Sequence, residues 1–222
     1  MITIEIIAIE GNDGSGKGLQ TDLLQQKLEA DGQRCFVLAF PQYERFFGRE
    51  IGAMLSGRQA VRADVVDAKS MALWYAMDRW QTFQNVDFSD IDVLLLNRYT
   101  LSNVVYQSLR VPAAAQDALA NWIFTLEADV LDLPRPDMTI LLDVDEKLSQ
   151  QNVAQKGFRD YVGNQADVYE SKEGFLQDVR AAYLRFAQRL EHVYIIESMR
   201  DGTMLPPEAI AAAVWEKLKS KR

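Results

Sequence analysis

The sequence predicts one α/β domain over 1–222, built on a five-stranded parallel sheet. Five short apolar runs occur, the first beginning at Ile4 and the others at 35–40, 91–96, 138–142 and 193–196. They do not alternate with polar residues, which is typical of strands buried on both faces. Segments with helical spacing lie between them, and this alternation indicates an α/β architecture. A chain of 222 residues suits a single core of this kind.

Helices are predicted from hydrophobic spacing and from residues that start or stop a helix. The first should end at Gly32 and carries on one stripe Leu19, Leu23, Leu24 and Leu28. A second should cover 44–56, and a third should begin after Asp64, a favourable N-cap, and reach about Gln84. The remaining helices are predicted over 101–109, 113–128, 173–190 and 207–219.

Two segments are predicted to be irregular. Residues 133–137 contain two prolines, which remove backbone donors and fix the chain direction, so they should form a connector into the fourth strand. The segment 146–170 is mostly polar and contains Gly157 and Gly163, a composition typical of a mobile cover. We therefore expect a mobile lid at about 146–170. His192 is expected to begin the last strand.

Composition limits the classes of partner. The 24 Lys and Arg face 32 Asp and Glu, a net charge of -8, which argues against a sequence-independent grip on nucleic acid. The single Cys35 lies in an apolar run and is expected to be a buried small hydrophobe. No apolar stretch approaches the roughly 20 residues that span a bilayer. Without a basic region ahead of an apolar N-terminal core, we expect a cytoplasmic protein with no membrane partner.

The first strand runs into the pattern Gly-x-x-x-x-Gly-Lys at 11–17. Glycines allow a tight turn whose amide N–H groups point at phosphate oxygens, and the following helix adds its positive end. A loop that uses glycines only for a turn is the alternative, but the position between a strand and a helix favours phosphate binding. Contacts to ATP are expected from Gly11, Asn12, Asp13, Gly14, Ser15, Gly16, Lys17 and Gly18. Gly18 stands where a metal-ligating Ser or Thr is usual, which leaves the metal site open.

Polar residues follow two other strands at their carboxyl ends, where open parallel sheets bind ligands. The second strand ends in Phe40-Pro41 and the third in Asn97-Arg98. An arginine with no neighbouring carboxylate in the sequence is a good phosphate partner. Asp13 is a candidate as well, because a carboxylate beside phosphates is repulsive unless it serves a metal or a sugar hydroxyl.

Helical spacing groups further candidates. Tyr75 and Arg79 share a helix face, and an aromatic beside an arginine suits a pocket for a base and a phosphate. If this pair is considered without the other candidates, packing in the core is the alternative explanation. The next helix pairs Ser102 with Tyr106 and Asn103 with Gln107. Lys156 and Arg159 could close over transferring phosphates, although a solvated charged loop explains them equally well.

Over nearly the whole chain, these residues resemble the thymidylate kinase family. The matching elements are the loop Glu10–Lys17, Phe40-Pro41, Asp78-Arg79, Arg98-Tyr99 with the residues that follow, Pro134–Asp137 and Asp167–Glu170. The resemblance implies a three-layer P-loop nucleoside monophosphate kinase fold with a five-stranded parallel sheet. It also implies a homodimer.

The resemblance assigns roles within an acceptor site. It implies that Asp13 contacts the sugar hydroxyl, that Tyr75 stacks on the thymine ring, and that Arg79 and Arg98 contact the base or its phosphate. It implies that Asn103 helps to read the base, that Tyr106 crowds the 2′ position and that Tyr169 approaches the sugar. Phe40, Pro41, Ser102 and Gln107 complete the expected set. Because Gly14 occupies the place of a catalytic loop arginine, the resemblance points to Arg159 or Lys156 in the lid.

Three residues depart from the family pattern. Gly18 lacks the usual hydroxyl, Asn97 replaces an Asp, and Gln42 replaces an arginine found in many relatives. Two of these changes weaken the metal site, since a neutral amide does not supply the charge that attracts a divalent cation. Mg²⁺ is then expected to be held mainly by ATP and water, with Asp13, Asn97 and Glu170 acting through water.

The resulting functional prediction is transfer of the γ-phosphoryl group of ATP to dTMP, with Lys17, Asp13, Arg98 and Arg159 as the catalytic set. One alternative is a kinase for another or a modified deoxynucleoside monophosphate, which Gln42 and the altered loop favour. Another is a catalytically inactive nucleotide-binding protein, which Gly18 and Asn97 favour.

Overall fold

The computed structural model describes residues 4–57, 61–155, 168–169 and 175–222. Within these residues, five strands form one fully parallel sheet in the order β2-β3-β1-β4-β5. The strands are β1 (Glu5–Glu10), β2 (Cys35–Ala39), β3 (Val93–Asn97), β4 (Met138–Asp143) and β5 (Val193–Glu197). The predicted α/β fold with a five-stranded parallel sheet is confirmed.

Helices connect the strands. They are α1 (Lys17–Ala30), α2 (Phe46–Leu55), α3 (Ala68–Asn85), α4 (Thr100–Ser108), α5 (Ala113–Thr125), α6 (Glu146–Gln155), α7 (Phe175–Ala187) and α8 (Pro207–Lys221). A π-helical turn, Leu126–Val130, extends α5. A short antiparallel hairpin, β6 (Met199–Arg200) and β7 (Thr203–Met204), precedes α8.

Helices cover both faces of the sheet, which gives three layers. On one face α1 and α8 pack over side chains of β1 and of three other strands, with Leu28 and Ile140 fully buried. On the other face α3, α4, α5 and α7 form a second core around Tyr183 and Phe186. In the described part of the chain, no helix is both long and apolar enough to cross a bilayer.

The order of the strands determines where a binding crevice forms. The chain leaves β1 toward β2 at one edge, but it leaves β3 toward β4 on the other side of β1. The loops after β1 and β3 therefore diverge, and a crevice opens where they separate. Ile9 and Asn97 are register partners in these neighbouring strands, so the loop from Gly11 and the loop from Arg98 emerge side by side.

The helices correct two predictions and confirm a third. The N-cap of α3 is Asp67 rather than Asp64, because the Asp67 side chain accepts from the Ser70 N–H at 3.0 Å. Leu19 is 49% exposed, since the buried stripe of α1 instead contains Gln20, Leu24 and Leu28, spaced four residues apart. Gly32 does end α1 as predicted, with a φ of 83° that favours glycine.

Other segments also differ from the sequence-based expectations. Residues 146–155 of the expected cover form the helix α6; the remainder of that segment, including Lys156, Arg159 and Glu170, lies outside the described residues, so its mobility stays a prediction. His192 adopts a left-handed conformation just before β5 and is not part of the strand. Cys35 is partly buried, and burial raises the pKa of its thiol to about 11.

Candidate active site

The loop between β1 and α1 folds over the Lys17 ammonium group. Lys17 Nζ donates to the carbonyl oxygens of Gly11 at 3.0 Å and Asn12 at 2.7 Å. Gln20 N–H donates to the Gly16 carbonyl at 3.0 Å, so the loop passes directly into α1. A buried cation and the amino end of a helix thus meet at one loop, an arrangement that attracts phosphate.

Helix α6 holds this loop from the opposite side. Asn12 Nδ2 donates to Ser149 Oγ at 3.0 Å and to the Val144 carbonyl at 3.1 Å. Asn152 Nδ2 donates to the Gly14 carbonyl at 2.8 Å. A Cβ atom on Gly14 would collide with the Ser149 carbonyl, and the φ of 82° at Gly14 also disfavours a side chain. Position 14 therefore cannot hold an arginine without displacing α6.

Arg98 joins the loop to the adjoining pocket. Its backbone is left-handed, with φ of 66°, and its Nη2 donates to Asp13 Oδ1 at 2.6 Å. Its Nη1 donates to Ser102 Oγ at 3.1 Å and to the Gly11 carbonyl at 3.3 Å. Burial lowers the pKa of Arg98, but Asp13 together with Tyr106, Tyr183 and Glu10 outweighs this and raises the pKa well above its ordinary value. The guanidinium is therefore a fixed positive charge.

The hydrogen-bond partners of Asp13 explain why a phosphate-binding loop can contain a carboxylate. One oxygen accepts from Arg98 and the other accepts from the Tyr106 hydroxyl at 2.8 Å. Burial, followed by the charge of Asp13, raises the pKa of Tyr106 well above its ordinary value, so the phenol remains a donor. The expectation that no carboxylate lies beside Arg98 is wrong. None is adjacent to it in the sequence, but Asp13, which follows β1, contacts it in the folded chain.

Glu10 was not among the candidate site residues. It is fully buried and accepts from the N–H groups of Tyr99 at 2.8 Å and Ser102 at 3.1 Å. These N–H groups lie at the start of α4, so Glu10 caps that helix from the neighbouring strand. Burial raises the pKa of Glu10, and its hydrogen bonds from Ser102 and the charge of Arg98 oppose this shift. Its partners come from a distant part of the chain, which the sequence pattern alone does not reveal.

A pocket beside Arg98 brings together the residues expected to bind the acceptor. It is an open cleft with about 540 Å³ of space between its walls, part of which is continuous with the solvent. Its lining includes every expected acceptor residue, namely Asp13, Phe40, Pro41, Tyr75, Arg79, Arg98, Ser102, Asn103, Tyr106, Gln107 and Tyr169. Tyr43 and Leu55 also line the pocket, and the sequence analysis did not identify them.

The far end of the pocket contains a buried ion pair. Arg79 is 2% exposed, and its Nε and Nη2 donate to the two oxygens of Glu127 at 2.8 and 2.5 Å. Burial lowers the pKa of Arg79, but the Glu127 carboxylate outweighs this and the pKa lies above its ordinary value. Its neighbour Asp78 accepts from the Gln42 N–H at 3.0 Å and so holds the turn after Phe40. Glu127 is a second residue that the sequence analysis missed.

Two tyrosines form the wall next to Asp13. The Tyr106 and Tyr169 rings meet edge to face, with centroids 6.2 Å apart. The Tyr169 hydroxyl donates to the Ala63 carbonyl at 3.1 Å, and Arg110 lies over its ring. Tyr169 therefore contributes its ring, rather than its hydroxyl, to the pocket wall.

The expected metal residues do not form a closed site. The Cβ position of Gly18 lies 3.8 Å from Asn97 Nδ2, so the two departures from the family pattern face one another. Both oxygens of Asp13 accept from Arg98 and Tyr106, and Glu170 is outside the described residues. Among the described residues, no group of three or more His, Cys, Asp or Glu is arranged to hold a metal. The described members of this donor set, Asp13 and Asn97, do not fit a divalent cation held by the protein alone.

Known proteins resemble this chain in architecture and in sequence. Residues 9–203 match the family model of thymidylate kinase. Thymidylate kinase from Mycobacterium tuberculosis is 33% identical over 185 residues, covering 82% of this chain and 85% of the relative. A probable thymidylate kinase from Pyrobaculum aerophilum is 30% identical over 216 residues, covering 96% and 95%. The structure of thymidylate kinase from Candida albicans superposes with a TM-score of 0.71 at 21% identity, covering 98% of this chain and 92% of that chain.

Proposed function

Because the chain belongs to the thymidylate kinase family, we propose that it transfers the γ-phosphoryl group of ATP to dTMP and releases dTDP and ADP. The observation that carries this proposal is the junction at Arg98. One guanidinium contacts the carbonyl of Gly11 in the phosphate loop and the Ser102 hydroxyl in the pocket wall. A donor on the loop and an acceptor in the pocket would therefore share one positive charge.

Phosphoryl transfer requires mainly that the two phosphates are aligned and that their negative charge is offset. The acceptor phosphate is itself the nucleophile, so no strong protein base is required. Lys17 and Arg98 would offset the negative charge of two approaching phosphates. Magnesium would arrive with ATP as part of the donor substrate, because Gly18 and Asn97 supply no charge that attracts a divalent cation. The lid cations Arg159 and Lys156 remain proposed contributors.

The pocket supplies the features that an acceptor nucleotide requires. Tyr75 would stack on the base, and Asp13 would accept from the sugar hydroxyl while Arg98 keeps its charge balanced. Tyr106 donates to Asp13, and this bond would keep its ring beside the sugar, where it would crowd a 2′ hydroxyl. Phe40, Pro41 and Tyr169 would complete the wall.

A homodimer is also proposed, on the family resemblance alone. Light scattering coupled to size-exclusion chromatography should give twice the 25.2 kDa mass of one chain. A mass of one chain at micromolar concentration would contradict this part of the proposal.

A panel of acceptors tests the activity. ADP release is measured with MgATP and dTMP, dUMP, dCMP, dGMP or dAMP, together with a sample that contains no acceptor. We expect dTMP to give the highest kcat/KM. Preference for a different acceptor would establish another kinase, and nucleotide binding without turnover for any acceptor would establish an inactive binding protein.

A further inference from the structure

Glu127 contacts both of the side chains expected to read the base, Arg79 and Asn103. Its carboxylate accepts from Arg79 twice, from Asn103 Nδ2 at 2.8 Å and from Thr100 Oγ1 at 2.7 Å. The π-helical turn Leu126–Val130 points Glu127 inward, and π-helical turns in other proteins often occur at functional sites. The Leu133 N–H donates to the Glu127 carbonyl at 2.9 Å and so fixes the backbone of this turn.

The contacts of Asn103 determine which way its amide points. Nδ2 donates to Glu127 and also to the Ala72 carbonyl at 3.0 Å. The reversed amide would set its oxygen against these two acceptors, so the observed orientation is the one that the hydrogen bonds allow. Asn103 Oδ1 is buried and has no hydrogen-bond partner among the described residues. Asn103 lines the pocket, so a ligand there would meet an acceptor with an unused lone pair.

The side-chain amide of Gln107 is oriented the opposite way to that of Asn103. Gln107 Oε1 accepts from Arg110 Nη1 at 2.6 Å, and Gln107 Nε2 is buried without a partner in the described part of the chain. Gln107 also lines the pocket, as does Arg79. Besides Asp13, the pocket therefore offers the acceptor Asn103 Oδ1, together with donors from Gln107 and Arg79.

Thymine and uracil match this set, because each has an N3–H donor between two carbonyl acceptors. Cytosine does not, because its N3 is an acceptor and would face Asn103 Oδ1 with two lone pairs opposed. We propose that Glu127 is a positioning residue for acceptor choice: it holds the Asn103 amide with its oxygen available and thereby favours a pyrimidine with a protonated N3 over cytosine. This inference rests on the proposed kinase function.

The test compares kcat/KM for dTMP, dUMP and dCMP in the wild-type chain and in Glu127→Gln. The glutamine can turn an NH₂ group toward Asn103, which leaves the Ala72 carbonyl as the one remaining described acceptor that favours the observed orientation of the Asn103 amide. We expect the ratio of dTMP to dCMP to fall about tenfold or more, with dUMP following dTMP, as the loss of one buried hydrogen bond implies. The change should appear in KM, with kcat for dTMP nearly unchanged, because the base lies away from the transferred phosphoryl group.

Two further variants separate positioning from general structural damage. Glu127→Asp keeps the charge that balances buried Arg79 but shortens the reach to Asn103, so it should also lower the ratio. Thr100→Val removes one hydrogen bond from Glu127 without touching the bond to Asn103, so it should leave the ratio unchanged. Thermal melts confirm that each variant is folded.

An unchanged ratio of dTMP to dCMP in folded Glu127→Gln and Glu127→Asp would overturn the inference, as would an equal loss for all three acceptors. Absence of dTMP turnover in the wild-type chain would instead refute the proposed function.

Discussion

The Glu10 carboxylate accepts hydrogen bonds from both the backbone N–H and the side-chain hydroxyl of Ser102, at 3.1 and 2.5 Å. This contact joins the end of β1 to the first turn of α4. The loop that contains Lys17 follows Glu10 directly, and Ser102 lines the pocket beside Arg98. The loop and the pocket are therefore linked by one buried carboxylate, with Arg98 bridging the same two segments at the surface of the crevice.

Replacement of Arg98 should remove most of the activity. In Arg98→Ala the phosphates lose a fixed positive charge and Asp13 loses its counterion, so we expect kcat to fall about 10² to 10³-fold. Arg135→Ala is the matched control, because Arg135 is an exposed arginine that pairs with Asp129. Near-normal turnover in folded Arg98→Ala would exclude this residue from the reaction.

Gly18→Ser should lower the magnesium concentration that gives half-maximal rate. The added hydroxyl has room, since the nearest atom to a Cβ at Gly18 is Asn97 Nδ2 at 3.8 Å. It would supply an oxygen that the present site lacks, and we expect a shift of about tenfold. Leu19→Ser adds a hydroxyl at the next, exposed position and should change nothing. If both variants keep the wild-type magnesium dependence, the missing hydroxyl is irrelevant to metal use.

Gly14→Ala should weaken ATP binding. The methyl group would collide with the Ser149 carbonyl and force α6 away from the loop, while the left-handed backbone adds strain. We expect the KM for ATP to rise about tenfold or more. Gly202→Ala has the same left-handed strain but nothing within 4 Å of the added methyl, so it should leave the KM unchanged. Equal ATP affinity in the two variants would show that the contact between α6 and the loop is unimportant.

The pair of Arg34 and Asp92 should contribute stability that depends on pH. Hydrogen bonds from Arg34 lower the pKa of Asp92 to about 2, from an ordinary value of 3.8. A lowered folded-state pKa gives stability that is present above the ordinary value and is lost as the pH falls toward about 2. Asp92→Asn should therefore lower Tm at pH 7, and the difference from wild type should shrink between pH 4 and pH 3.

The control for this pair is Asp90→Asn, which removes a longer contact of 3.6 Å to the same arginine from a nearly fully exposed carboxylate. It should change Tm less than Asp92→Asn does at pH 7. A Tm difference for Asp92→Asn that stays constant from pH 7 to pH 3 would contradict the lowered pKa.

The sequence predicted the sheet and much of the pocket because these depend on local patterns. Uninterrupted apolar runs identified all five strands, and the helical spacing of Ser102 with Tyr106 and of Asn103 with Gln107 placed these four residues on one pocket wall. The loop glycines likewise indicated a tight turn, which the structure contains.

The missed residues depend on contacts between distant segments. Glu127 lies 48 residues from Arg79 in the chain and becomes its partner only through the π-helical turn. Glu10 similarly meets Tyr99 and Ser102 only once β1 and β3 are paired. Asp64 and Asp67 are both acceptable N-caps by residue type, and hydrogen bonding to Ser70 decides between them.

A direct competition between dTMP and dCMP tests whether the pocket selects a thymine nucleotide for phosphoryl transfer. Equal concentrations of dTMP and dCMP are incubated with limiting MgATP, and the two diphosphate products are separated by chromatography. We expect dTDP to exceed dCDP by about 10- to 100-fold, the effect of opposing one buried acceptor with another. Equal amounts of the two products, an excess of dCDP, or no diphosphate product would contradict the claim.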